Sequence, residues 1–69
     1  MFYKRLRELR EDADCSQKTV AGWLGIDQRV YSTYETGKRE ILSRYLSVLA
    51  DHYRVSVDYI LERTDQKSR

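Results

Sequence analysis

The fold is decided by residues 24–32, which read LGIDQRVYS. Gly25 suits the end of a helix, because the residue that follows a helix often needs a positive φ, which glycine adopts without steric cost. Asp27 can begin the next helix, since its carboxylate can accept a hydrogen bond from an early backbone N–H group. The flanking segments 16–23 and 33–39 continue the two helices on either side. This stretch therefore predicts a helix, a tight turn and a second helix.

Hydrophobic periodicity predicts three further helices around this pair. Apolar residues recur every three or four positions in residues 2–13 and again in residues 42–53, as they do in amphipathic helices. The hydroxyls of Ser16, Ser43 and Ser56 can cap the N-termini of the second, fourth and fifth helices. The chain has no proline, and no alternation of period two is long enough for a strand. We therefore expect an all-α fold, a compact bundle of five helices.

Length and composition exclude several classes of protein. The 69 residues are enough for one small domain, which we place at residues 1–61, followed by a polar tail at 62–69 that should fray. A lone cysteine and a lone histidine cannot form an internal disulfide or a four-ligand zinc site. We do not expect Cys15 and His52 to act as nucleophile and base, so we expect neither an enzyme nor a cofactor. No apolar stretch approaches the ~20 residues of a membrane span, and no secretory signal is visible, which indicates a cytoplasmic protein.

One face of the helix after Asp27 carries side chains suited to reading DNA. On a helical wheel of about 100° per residue, one polar arc contains Gln28, Arg29, Ser32, Thr33 and Thr36. In the major groove glutamine pairs with adenine and arginine with guanine, while serine and threonine contact several bases. Gln28 and Arg29 lie in the first turn, which is the part of a recognition helix that reaches base edges. A solvated surface helix would also be amphipathic, so this face alone leaves both interpretations open.

Net charge does not decide between them. The chain carries 13 basic and 11 acidic residues, for a formal charge of +2 at pH 7. That balance permits nucleic-acid binding without predicting it, so the placement of the charges matters more. Lys38 and Arg39 are either loop charges or phosphate contacts, and we favour phosphate contacts because their loop follows the proposed reading helix.

The order and spacing of five motifs give a specific resemblance. The motifs are LxxLR at residues 6–10, SQxxVAxxLGI at 16–26, YSxYExGKR at 31–39, LxxLA at 46–50 and YxVSVDYIL at 53–61. In this order the chain resembles the Xre/Cro type of lambda-repressor-like helix-turn-helix proteins, over nearly its whole length. The resemblance implies a five-helix bundle whose second and third helices form the helix-turn-helix. It also implies transcriptional repression by a homodimer bound to double-stranded DNA, with no small-molecule ligand evident.

The resemblance assigns roles to residues by position. The implied base contacts are Gln28, Arg29, Ser32 and Thr33. The implied phosphate contacts are Gln17, Thr36, Lys38, Arg39 and Arg44, of which Arg44 is the weakest candidate. Arg10 and Glu35 are implied to form a partly buried ion pair between the first and third helices, the alternative being a phosphate contact and an exposed acid.

Three features leave alternatives open. Tyr31 stands where the family usually has isoleucine or valine, and its ring would either push the third helix outward or place its hydroxyl on the DNA backbone. Val57 and Leu61 project from the last helix, where they either form a dimer contact or complete the monomer core. Trp23 is either partly buried against a neighbouring helix or a protein contact. Together with the modest charge, an exposed Trp23 motivates a second function, a protein-interaction module such as an antitoxin or scaffold with DNA binding secondary or absent.

Overall fold

The computed structural model describes residues 3–67, and within that range the backbone forms five α-helices and no strand. The helices are α1 (Lys4–Asp12), α2 (Gln17–Leu24), α3 (Gln28–Glu35), α4 (Ser43–Tyr53) and α5 (Val57–Ile60). The expectation of an all-α fold built from five helices is confirmed. Phe2, the first member of the predicted apolar stripe of α1, lies outside the described residues.

Local hydrogen bonds define most of the helix ends as the sequence predicts. The Ser16 hydroxyl accepts from the Thr19 N–H at 3.1 Å, and the Asp27 carboxylate accepts from the Arg29 N–H at 2.7 Å. The Ser56 hydroxyl likewise caps α5. Between α2 and α3, Gly25 has a φ of 67°, the left-handed conformation that ends α2 and turns the chain. Three N-caps and the turn are therefore confirmed.

The predicted cap of α4 is wrong. Ser43 is the first residue of the helix, and Leu42 holds the N-cap position without any side-chain hydrogen bond. The reason lies in the backbone, because the Leu42 carbonyl accepts the first bonds of the helix from the N–H groups of Tyr45 and Leu46. The apolar Leu42 side chain is 44% exposed at this end of the helix.

The core lies between the inner faces of all five helices. Its fully buried side chains include Leu6 of α1, Val20 of α2, Tyr31 of α3, Leu49 of α4 and Ile60 of α5. Each helix thus contributes an apolar anchor, as expected when short helices gain their stability from tertiary packing. The result is that α3 is held by its inner face and keeps its other face available.

Tyr31 does not reach the surface. Its exposed fraction is 0%, so its hydroxyl cannot contact a DNA backbone, and that expectation is wrong. Burial of the ring, together with the nearby Glu35 carboxylate, raises the pKa of the Tyr31 hydroxyl well above its ordinary value. Within the described residues the hydroxyl makes no hydrogen bond of ordinary geometry. The ring therefore serves as the central packing group beneath α3.

The segment after α5 lies against α1 and α5. The Arg5 guanidinium donates to the Thr64 carbonyl at 2.6 Å and to the Asp65 carboxylate at 2.8 Å. The Ser56 N–H donates to the Lys67 carbonyl at 3.0 Å. These contacts give residues 62–67 a defined course along the bundle, whereas fraying of the tail in solution stays a prediction.

Candidate nucleic-acid interface

The turn between α2 and α3 sets the orientation of the candidate reading helix. The Gly25 N–H donates to the Gly22 carbonyl at 3.2 Å and the Ile26 N–H donates to the Ala21 carbonyl at 3.1 Å. These two bonds close the end of α2 directly onto the turn, as in a left-handed helix terminus. Only Ile26 and Asp27 then separate Gly25 from α3. The short connection leaves little freedom between the two helices.

A shallow depression on the α2–α3 surface gathers seven polar side chains and has a volume of about 320 Å³. They are Gln17, Gln28, Arg29, Ser32, Thr33, Thr36 and Lys38. This set contains all the residues expected to contact bases and three of those expected to contact phosphates. Arg39 and Arg44 do not line it, and the Arg44 guanidinium lies over the Tyr45 ring at 5.2 Å from its centroid. The structure thus brings residues of two helices and a loop together, while their roles stay predictions.

The hydrogen bonds of this surface differ from one side chain to the next. Gln28 and Arg29 are exposed, and within residues 3–67 their side chains donate to no protein group. By contrast, the Thr33 hydroxyl donates to the Val30 carbonyl at 2.6 Å, and the Thr36 hydroxyl donates to the Ser32 carbonyl at 3.0 Å. The amide and guanidinium are therefore available to a ligand, whereas both threonine hydroxyls already use their hydrogen within the helix.

The acidic residues of segment 17–44 all bond to other groups of the protein. Asp27 caps α3, Glu35 pairs with Arg10, and Glu40 accepts a hydrogen bond from the Tyr3 hydroxyl at 2.8 Å. Among the described residues, no ion pair joins an acid to the basic residues of segment 17–44, which are Lys18, Arg29, Lys38, Arg39 and Arg44. The surface around α3 is therefore more positive than the net charge of the chain suggests, and such a surface favours an anionic ligand.

A partly buried ion pair joins α3 to α1. The Arg10 Nε lies 2.7 Å from Glu35 Oε2, and Nη2 lies 3.3 Å from Oε1, which makes the pair bidentate. Burial alone would raise the pKa of Glu35, but hydrogen bonds from Arg10 and the positive charge outweigh it, so the pKa lies below its ordinary value. The expected partly buried pair between α1 and α3 is present in the structure.

Gln17 joins this pair from α2. Its Nε2 donates to Glu35 Oε1 at 3.3 Å, so one carboxylate receives hydrogen bonds from both α1 and α2 while lying on α3. Sequence reasoning missed this bond, because the two residues are 18 positions apart on different helices and no local pattern couples them. Since a primary amide has two N–H groups, Gln17 keeps one for a ligand in the depression.

Trp23 packs against α4. Its ring stacks on His52 with centroids 4.2 Å apart and an interplanar angle of 1°, and Tyr53 lies edge-on at 5.6 Å. The ring is therefore half-buried against a neighbouring helix, which is one of the two alternatives that the sequence left open. The alternative function as an interaction module depends on an exposed Trp23, whereas this ring is half-buried against α4.

Val57 and Leu61 are both half-buried and pack against the buried core. Their inner atoms contribute to the monomer, and their outer atoms are open to solvent. A dimer contact through these two residues stays a prediction.

Within residues 3–67, no group of three or more metal-binding side chains occurs. No helix of the described part is long and apolar enough to cross a bilayer.

Comparison with known proteins agrees with this geometry. The family described as "Helix-turn-helix domain" matches residues 4–61. The chain is 38% identical over 64 residues to the SPbeta prophage-derived HTH-type transcriptional regulator YonR of Bacillus subtilis, covering 93% of this chain and 59% of that protein. It is also 38% identical over 67 residues to the HTH-type transcriptional regulator AnsR of Bacillus subtilis, covering 97% and 58%.

A third relative is the cryptic phage CTXphi transcriptional repressor RstR of Vibrio cholerae. The identity is 32% over 57 residues, covering 83% of this chain and 51% of that protein. The chain therefore spans between half and three-fifths of the length of these relatives. No solved structure gives a significant match.

Proposed function

This chain belongs to the helix-turn-helix family, a non-enzymatic family of DNA-binding proteins, with the lambda-repressor-like arrangement of helices, and we propose that it binds double-stranded DNA sequence-specifically as a transcriptional regulator. The observation that carries the proposal is the α2–α3 depression. There the unpaired side chains of Gln28 and Arg29 lie beside Gln17 and Lys38. The candidate base contacts and three of the candidate phosphate contacts thus share one surface.

In this proposal α3 enters the major groove with its first turn facing the base edges. The Gln28 amide can bond bidentately to adenine N6 and N7, and the Arg29 guanidinium can bond to guanine O6 and N7. Neither side chain must break an internal hydrogen bond to do so within the described structure. Both are exposed, so the cost of binding them is mainly the ordering of two long side chains.

Phosphate contacts would fix the orientation of α3. Gln17, Thr36 and Lys38 line the same depression, although Thr36 would have to release its bond to the Ser32 carbonyl in order to donate to a phosphate. Arg39 and Arg44, both exposed, are the further candidates. Such contacts carry no sequence information, but they set the register of a protein on the duplex and supply much of the salt-dependent affinity. The locally positive surface around α3 supports this assignment.

We further propose that the protein acts in the cytoplasm as a repressor and as a dimer on a pseudopalindromic site. The two copies of α3 would enter successive major grooves about 34 Å apart. The bound dimer would block polymerase or another regulator. The name of RstR as a transcriptional repressor, and the outer atoms of Val57 and Leu61, support this finer proposal.

The reading face is tested by removing its two long side chains. Gln28→Ala and Arg29→Ala should each weaken binding to a site selected from random DNA by about 1–3 kcal/mol, because each loses a bidentate base contact. Each should also relax the base preference at one or two positions. Lys38→Ala should instead weaken all sequences about equally and lower the slope of log K against log salt by roughly one.

Arg7→Ala is the matched control for the loss of one positive charge. Arg7 lies on α1, is exposed and pairs only with Glu11 at 3.5 Å among the described residues. It should therefore leave affinity, base preference and salt slope nearly unchanged. Intact base preference in both Gln28→Ala and Arg29→Ala, measured by repeating the selection, would show that α3 does not read the sequence through this face.

The dimer is tested separately with Leu61→Lys. A lysine at this half-buried position places a charge against the proposed partner, so binding to a full pseudopalindromic site should weaken while binding to an isolated half-site is kept. The half-site affinity controls for folding of the reading surface. A wild-type protein that sediments on the full site as one copy per duplex would contradict the dimer.

A further inference from the structure

We propose that Thr33 is a specificity-determining residue that recognises thymine through its Cγ2 methyl group. The inference rests on the proposed function and adds to it the chemistry of one base contact. The sequence predicts that Thr33 contacts a base but does not say through which group, and here that group is the apolar methyl. The two branches of the Thr33 side chain have different surroundings in the structure.

The hydroxyl branch is already engaged. Thr33 Oγ1 donates to the Val30 carbonyl, three residues earlier in α3, at 2.6 Å. A hydroxyl has a single hydrogen, so this bond removes its capacity to donate to a base acceptor. Threonine on a helix commonly adopts such a rotamer because Oγ1 can reach the carbonyl of the preceding turn.

With the hydroxyl bonded to the backbone, the methyl is the branch of the Thr33 side chain that no hydrogen bond holds. Cβ of threonine carries only these two heavy branches, so turning one toward the backbone turns the other away from it. Thr33 is half-buried and lines the depression beside Gln28 and Ser32. Within the described residues the Ser32 hydroxyl donates to no protein group. The two neighbouring positions thus differ in chemistry, with a free hydroxyl at Ser32 and an apolar methyl at Thr33.

A methyl group on a recognition helix has a specific counterpart in the major groove. Among the four DNA bases only thymine presents a methyl group there, at C5, and threonine methyl groups are among its apolar contacts. Removing one methyl-sized apolar group from such a contact changes an equilibrium constant by about fourfold. Thr33 would therefore favour thymine over a base or analogue that lacks the methyl.

The experiment replaces thymines of the selected half-site, one at a time, by uracil, which removes only the C5 methyl. Binding is measured for the wild type, Thr33→Val and Thr33→Ser. Valine keeps the methyl and lacks the hydroxyl, whereas serine keeps the hydroxyl and lacks the methyl. At one position uracil should weaken the wild type and Thr33→Val about fourfold and leave Thr33→Ser almost unaffected. The salt slope should be the same for all three proteins, since no phosphate contact is changed.

Two results would overturn the inference while the proposed function stands. One is a selected motif in which no uracil substitution separates the wild type from Thr33→Ser. The other is the reverse pattern, in which Thr33→Ser behaves as the wild type and Thr33→Val loses the preference, because the hydroxyl would then be the reading group. Failure of the selection to give any motif would instead overturn the proposed function, and this inference with it. Thermal unfolding of both variants, checked by circular dichroism, separates a folding defect from a lost contact.

Discussion

Replacing Arg10 by alanine should lower the free energy of unfolding by about 3–5 kcal/mol, because it leaves the Glu35 carboxylate buried without its partner. The Arg10 and Glu35 side chains are only 15% and 4% exposed, and the pair is bidentate. A domain of this length has a total stability of about 3–10 kcal/mol. The variant should therefore lose a large share of its stability, which urea denaturation measures as a strongly lowered midpoint.

The exposed pair between Arg7 and Glu11 provides the matched control. Their side chains are 64% and 55% exposed, so Arg7→Ala should cost less than about 1 kcal/mol. The double variant Arg10→Met with Glu35→Leu should recover much of the loss, because it removes both charges and keeps the volume apolar. An Arg10→Ala protein as stable as Arg7→Ala would contradict the role assigned to the pair.

The pH dependence gives a second measure of the same pair. The folded-state pKa of Glu35 lies below its value in the unfolded chain. Its contribution to stability is therefore fully present above the unfolded pKa and is lost as the pH falls through the folded pKa. The difference in unfolding free energy between the wild type and Arg10→Ala should shrink as the pH drops below about 4.

Tyr31→Ala should produce a loss of similar size, about 3–5 kcal/mol, as expected when a fully buried aromatic side chain is truncated. The ring is 0% exposed and lies on the inner face of α3. Its removal would leave a cavity beneath the reading helix, so DNA binding should fall together with the thermal unfolding temperature. Calorimetry with a parallel DNA titration measures both.

Tyr31→Phe separates the ring from its hydroxyl. Since that hydroxyl makes no hydrogen bond of ordinary geometry within the described residues, its removal should change stability by no more than about 1 kcal/mol. The phenylalanine variant should also bind DNA as the wild type does. A loss of more than about 2 kcal/mol in Tyr31→Phe would mean that the hydroxyl, and not the ring alone, holds α3 in place.

Features that depend on a few neighbouring residues were predictable from the sequence. The caps at Ser16, Asp27 and Ser56 each use a backbone N–H two or three residues ahead. Gly25 adopts the positive φ that its place between two apolar stripes requires. The helical wheel also placed the polar face of α3 correctly, because the angle between successive side chains on a helix is nearly constant. The prediction for α4 was wrong by one residue, because a serine that could cap a helix does not prevent the helix from beginning at the serine itself, with Leu42 at the N-cap position.

The sequence by itself determined the order of the helices, most of their ends and the composition of the face that α3 presents, because these properties depend on interactions within one or two helical turns. Tertiary structure alone decided that Gln17 bonds to Glu35, that Tyr31 fills the interior and that Trp23 stacks on His52. Each of these contacts joins positions that are close only after the helices have packed. Packing depends on the shapes of whole surfaces, and the spacing of residues along the chain carries little of that information.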